Sequence, residues 1–150
     1  EVRAAVSIPV LSIIEATVQF LKKQQFQRVG IISTSATIQN KLYETAFEKN
    51  QIEYVTPDAF QQAKLGKLIH HLILGQQNNR DREELIDIVH GMDGKNLDCV
   101  ILACTDLQLL IPKHDRLKIF DTMKIFANTA VEEMLSTEAV FDKDSSQGLS

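Results

Sequence analysis

The chain has 150 residues, a formal net charge of −4, 44% hydrophobic and 24% charged residues. That is one domain's length with apolar content enough for a core, and the charge balance lacks the basic footprint of a nucleic-acid binder. No apolar run approaches the ~20 residues of a membrane span, and two cysteines are too few for a disulfide framework. Their placement in strand-like sequence predicts reduced thiols in a cytoplasmic setting. Position 1 is Glu rather than Met and no signal peptide is visible, so a piece of a longer protein is expected.

In chain order, Pro9 opens an amphipathic stretch in which Val10, Ile13, Ile14, Thr17, Val18 and Leu21 recur at helical spacing, predicting a helix over 9–25. "RVGIIS", 28–33, is short and β-branched, a buried strand. "STSAT" leads into a helical pattern over 37–50 with Tyr43 and Phe47. "IEYVTP", 52–57, reads as a strand stopped by Pro57, and 58–74 as a helix with Phe60, Leu65, Leu68, Ile69, Leu72 and Ile73 on its apolar side. "GQQNNRDR", 75–82, reads as a loop, and a helix follows over 82–92. "LDCVILAC", 97–104, is the most continuous apolar run, a third strand; "RLKIF", 116–120, is a short fourth. A last helix is expected over 122–135, and residues 137–150 are expected to form a loose polar tail after a single α/β domain over 1–136. Strands alternating with helices predict a parallel four-stranded sheet with helices on both faces, whose ligands bind beyond the carboxyl ends of the strands.

Two strand ends carry chemistry. Ser33–Thr37 sets hydroxyls and backbone N–H groups at a helix start, suited to a carboxylate or phosphate; simple N-capping by Thr34, Ser35 or Thr37 is the plainer reading. The P-loop glycines and lysine are absent. At the other end, Cys104 stands before a turn that Thr105 or Asp106 could cap. There the helix dipole and free N–H groups are expected to lower the thiol pKa from about 8.5, against the nearby Asp106 carboxylate; a buried, inert cysteine is the alternative. Cys99 lies five residues earlier, about 16 Å away at ~3.3 Å per residue and on the opposite face, so it can neither pair with Cys104 nor share one small carbon centre with it. Cys99 is read as core. His70 and His71 are read as one exposed residue and one at a packing edge, His90 as a helix end, and His114 as the one histidine near a strand end. No HxxH or CxxC spacing predicts a metal site.

Together "IPVLSIIEAT", "VGIISTSATIQNKLY", "VILACTDL" and "DTMKIFANTAVEEML" resemble the aspartate/glutamate racemase family, on its aspartate branch, in order from about Ile8 to Leu135. "ACTDL" resembles that family's Gly-Cys-Thr-Glu-Leu motif, and "STSAT" followed by Tyr43 its Thr-x-Gly-Thr…Tyr loop. The resemblance implies a flavodoxin-like sheet that is one half of a two-domain, pseudo-symmetric fold. It implies a cofactor-free, PLP-independent 1,1-proton transfer at the α-carbon of an amino acid, aspartate or glutamate, between two opposed cysteines. Cys104 matches the second of these; Thr34, Ala36, Thr37 and Thr105 match the carboxylate-binding positions. The first cysteine lies in a Cys-Asn-Thr motif in the domain before the present segment. The chain therefore resembles the carboxyl-terminal part of the enzyme, carrying half a site and inactive alone, with the missing domain, and in turn a homodimer, as expected partners. Ala103 and Asp106 depart mildly from the motif, and Ala36 for Gly narrows the backbone approach to a carboxylate. Arg80 and Arg82 in the 75–82 loop are candidates for reading a second carboxylate. Single-cysteine decarboxylases and isomerases of the same superfamily, and a non-catalytic ligand-binding domain, remain open beside the racemase.

Overall fold

The computed structural model describes residues 2–145, with the side chains of residues 3–136. The elements follow as α1 (Val2–Ala5), α2 (Ile13–Lys23), β1 (Arg28–Ile32), α3 (Ser35–Gln39), α4 (Glu44–Lys49), β2 (Glu53–Val55), α5 (Ala59–Ile73), α6 (Asn79–Met92), β3 (Cys99–Leu102), a 3₁₀ helix (Thr105–Leu110), β4 (Lys118–Asp121) and α7 (Thr122–Ser145). The four strands are all parallel in the order β2-β1-β3-β4, as the alternating pattern predicts.

Alternation along the strands divides the core in two. Val29 and Ile31 of β1 and Cys99 and Ile101 of β3 pack with Val18 and Leu21 of α2 and Phe47 of α4 on one face. Ile32, Val100, Leu102 and Cys104 pack with Leu65, Leu68, Leu85 and Ile88 of α5 and α6 on the other. The pairings Ile31↔Ile101 and Ile32↔Leu102 keep these sets in register, since a one-residue slip would turn each set to the wrong face. Gly30 lets α6 close on β1: a Cβ there would meet Leu97 and Val100 at 3.1 Å and Met92 at 3.2 Å.

Several elements differ from their predicted form. The helix expected over 37–50 is two, α3 and α4, because Lys41 takes a left-handed φ of 48°. The loop expected over 75–82 ends early. Asn78 caps α6 by accepting from Arg80 and Asp81 N–H, and Asp81 returns a bond to the Asn78 N–H, so Arg80 and Arg82 are helical. α7 runs to Ser145, beyond the expected 135, so the proposed loose tail is helical over 137–145, and its remainder, 146–150, lies outside the described residues. No helix among the described residues is long and apolar enough to cross a membrane.

Candidate functional site

The ladder between β1 and β3 continues one step past the strands, where the Ala103 N–H donates to Ile32 O at 2.8 Å. The chain at Ser33–Thr34 and at Ala103–Cys104 therefore leaves the sheet side by side, at the interstrand spacing of about 4.8 Å. The two loops singled out in the sequence thus meet at the carboxyl edge.

In the first loop Thr34 is the N-cap of α3. Its Oγ1 accepts from the Thr37 N–H at 3.2 Å and lies 2.9 Å from Thr37 Oγ1. The plainer capping reading is therefore correct as far as it goes. The hydroxyl pair still holds one proton not used between them, because two hydroxyls bonded to one another engage only one O–H. Ala36 is exposed and Thr37 half-buried.

In the second loop Cys104 is itself the residue before the 3₁₀ helix, with extended backbone (φ −132°, ψ 125°), so neither Thr105 nor Asp106 is the cap. Thr105 is exposed, while Cys104 is only 7% exposed and belongs to the α5–α6 core. Burial raises its thiol pKa. The backbone N–H groups of Asp106 and Leu107 pull it back down, and the Asp106 charge pushes it up again. The expected lowering is overturned: desolvation of the thiolate outweighs the short helix start. Cys99 is fully buried on the opposite face, its pKa pushed up to about 12, chiefly by burial. Both thiols are free.

Arg80 and Arg82 occupy the first turn of α6. That turn is tied to the C-terminal end of α5, where His71 Nδ1 and Asp81 Oδ1 lie 2.8 Å apart, rather than to the loops after β1 and β3. Burial pushes Asp81 up, but the bonds from His71 and from the Asn78 N–H outweigh it and leave the carboxyl below its ordinary range. His114 precedes β4 and so lies at the amino edge, away from Cys104. Its Nδ1 accepts from the Arg116 and Leu117 N–H groups, and its ring meets that of His90 edge-on at 4.8 Å, a turn-holding role.

The structure adds polar neighbours to Tyr43, the tyrosine that follows the hydroxyl loop in the sequence. Tyr43 is buried with its hydroxyl toward Thr122 and Thr17. Burial raises its pKa against those two bonds, and Asp121 adds to the rise. Thr122 Oγ1 donates to Leu102 O at 3.1 Å, joining α7 to the end of β3, and Asp121 accepts from the Met123 and Lys124 N–H groups at 3.1 Å. An Asp-Thr pair between a strand and a helical pattern is a capping signal that could have flagged these two. Gln62 of α5 reaches back to the Ser33–Ser35 loop. A groove of about 760 Å³ between α2, α7 and β4, floored by Phe20, Phe120 and Ile125, includes neither Cys104 nor residues 33–37.

A family model described as Asp/Glu/Hydantoin racemase matches residues 1–130. The broad specificity amino-acid racemase RacX of Bacillus subtilis (strain 168) is 25% identical over 143 residues, covering 93% of this chain and 60% of its own. Among solved structures, a candidate Asp/Glu racemase from Yersinia pestis has TM-score 0.81 and 27% identity over 89% of this chain and 60% of its own. An aspartate racemase homologue from Pyrococcus horikoshii OT3 has TM-score 0.75 and 26% identity over 87% of this chain and 58% of its own. The aspartate racemase of Picrophilus torridus has TM-score 0.69 and 26% identity over 82% of this chain and 52% of its own. The chain thus spans 52–60% of the length of these proteins.

Proposed function

The chain belongs to the Asp/Glu/Hydantoin racemase family, and from that premise we propose that it is the Cys104-bearing part of a cofactor-independent, PLP-independent amino-acid racemase of the aspartate type. The observation that carries this reading is the delivery of one buried thiol, Cys104, to the carboxyl edge beside the hydroxyl loop of Thr34 and Thr37.

Racemisation needs a base on one face of the α-carbon and an acid on the other. Burial holds Cys104 as a thiol at rest, the form that delivers a proton. When it takes the opposite role, the N–H groups of Asp106 and Leu107 favour the thiolate that forms. The substrate carboxylate takes up charge as the α-proton leaves. Thr34, Thr37, Thr105 and the backbone at Ala36 are the donors we assign to it. Cys99 cannot supply the second group, since it faces the other side of the sheet. That group comes from a preceding domain carrying a second cysteine, which makes this segment inactive alone. A cytoplasmic setting fits the two free thiols.

The aspartate assignment is supported by the 26% identity to the aspartate racemase of Picrophilus torridus, while the name of RacX points to a wider range in that relative. Chiral chromatography of L-aspartate, L-glutamate and L-alanine incubated with the full-length protein ranks them. We expect aspartate first and alanine slowest; equal rates would replace the aspartate reading with broad specificity. Loss of carbon dioxide, or a cis–trans product, would move the assignment to the single-cysteine decarboxylases and isomerases.

A further inference from the structure

One side chain outside the family motifs bridges from α5 to the hydroxyl loop. Asp58 and Gln61 form a reciprocal cap at the start of α5, with Gln61 N–H to Asp58 Oδ1 at 2.8 Å and Asp58 N–H to Gln61 Oε1 at 3.2 Å. The next residue, Gln62, is therefore held in a fixed first turn, its N–H on Asp58 O at 2.8 Å. From there its Nε2 donates to Ser33 O at 3.0 Å and to Ser35 Oγ at 3.4 Å. These acceptors lie on either side of Thr34. The amide cannot be turned over, because that would set Oε1 against the Ser33 carbonyl, two acceptors face to face. As a result Gln62 Oε1 is buried without a partner among the described residues, and so is the hydroxyl of Ser33, a residue 0% exposed. A buried, unmatched acceptor is costly. An apolar side chain of similar length would fill the same space without it. The amide's worth lies in what its N–H groups hold.

We propose that Gln62 is the positioning residue of the candidate carboxylate loop, setting through Ser33 and Ser35 where the Thr34 and Thr37 hydroxyls stand relative to Cys104. This rests on the racemase reading of that edge. Gln62 itself moves no proton. Its contribution is orientation, where a small misplacement is felt in both binding and rate.

The test uses the full-length protein with Gln62→Met, which keeps length and removes the donor, and Gln62→Glu. With thermal midpoints close to that of the parent, kcat/KM is expected to fall about ten-fold in Gln62→Met. In Gln62→Glu the ionised carboxylate cannot donate, but its acid form can. Burial beside the Ser33 carbonyl raises the pKa of a carboxyl placed there, so the ratio of its kcat/KM to that of the parent should climb several-fold from pH 8 to pH 5.5. A merely structural role would leave that ratio flat. A flat ratio with an undiminished Gln62→Met overturns the inference. If Gln62→Met fails to fold, the pH ratio of Gln62→Glu decides; if Gln62→Glu fails to fold, the kcat/KM of Gln62→Met decides. Parent protein that exchanges no α-proton overturns the racemase reading and this inference with it; active parent with unaffected variants overturns the inference alone.

Discussion

Cys99 and Cys104 are the same side chain five positions apart, and the pleat sends them to opposite cores. Both thiols are raised by burial, Cys99 to about 12, Cys104 upward but with two N–H groups opposing the rise. A raised thiol pKa means less thiolate at neutral pH. Iodoacetamide should therefore modify Cys104 slowly at pH 7 and faster as pH climbs through the alkaline range, with Cys99 unmodified while the chain is folded. Peptide mass spectrometry against pH reads this, and a Cys104 rate already on its plateau at pH 7 would contradict it. The place of Cys104 and Thr34 at the carboxyl edge was legible in the sequence because each follows an apolar run, and beyond strand ends is where ligands of a parallel sheet bind. The sign of the thiol shift was not, because it depends on how deeply α5 and the 3₁₀ helix cover the sulfur. Gln62 was equally hidden, since its partner Ser33 lies 29 residues away in the chain; for Thr122 the Asp-Thr capping signal could be read, but not its bond to Leu102, 20 residues back.

At the scale of elements, one device recurs. After α2 the Phe26 N–H donates to Leu21 O and the Gln25 N–H to Lys22 O, with Gln25 at φ 59°. The same pair of bonds closes α3 around Lys41, α4 around Gln51 and α5 around Gly75. This is the left-handed C-terminal cap that glycine fits best, yet three of the four positions carry side chains. Gln25→Gly and Gln51→Gly should each stabilise the fold by about 0.5–1 kcal/mol, relief of left-handed strain exceeding glycine's added unfolded-state freedom. Gly75→Ala should cost about 1 kcal/mol. Urea unfolding measures all three, and a destabilised Gln25→Gly would show that the strain is absent. Most of the strands and long helices were readable from periodicity. The break at Lys41 was not, because neither glycine nor proline marks it. Nor was the early start of α6, whose cap sits inside a polar run that looks like a loop.

The described residues form a four-stranded parallel sheet between α5–α6 on one face and α2, α4 and α7 on the other, with Ser33–Thr37 and Cys104 at its carboxyl edge. The chain spans 52–60% of its relatives' length. In the proposed reading a preceding domain closes that edge and brings the opposing thiol. The layered fold was visible in the alternation of strand and helix patterns, since that alternation admits few other packings. The completeness of the site was not, because it depends on what faces the edge. The measurement that goes straight to the central claim is α-proton exchange: the full-length protein and its Cys104→Ser variant in D₂O with L-aspartate, followed by NMR and chiral analysis. The prediction is deuterium at Cα appearing together with D-aspartate, and a loss of both by at least about 100-fold in the variant. Exchange and racemisation that survive Cys104→Ser undiminished would contradict the role of Cys104, and no exchange in the unaltered protein would contradict the racemase itself.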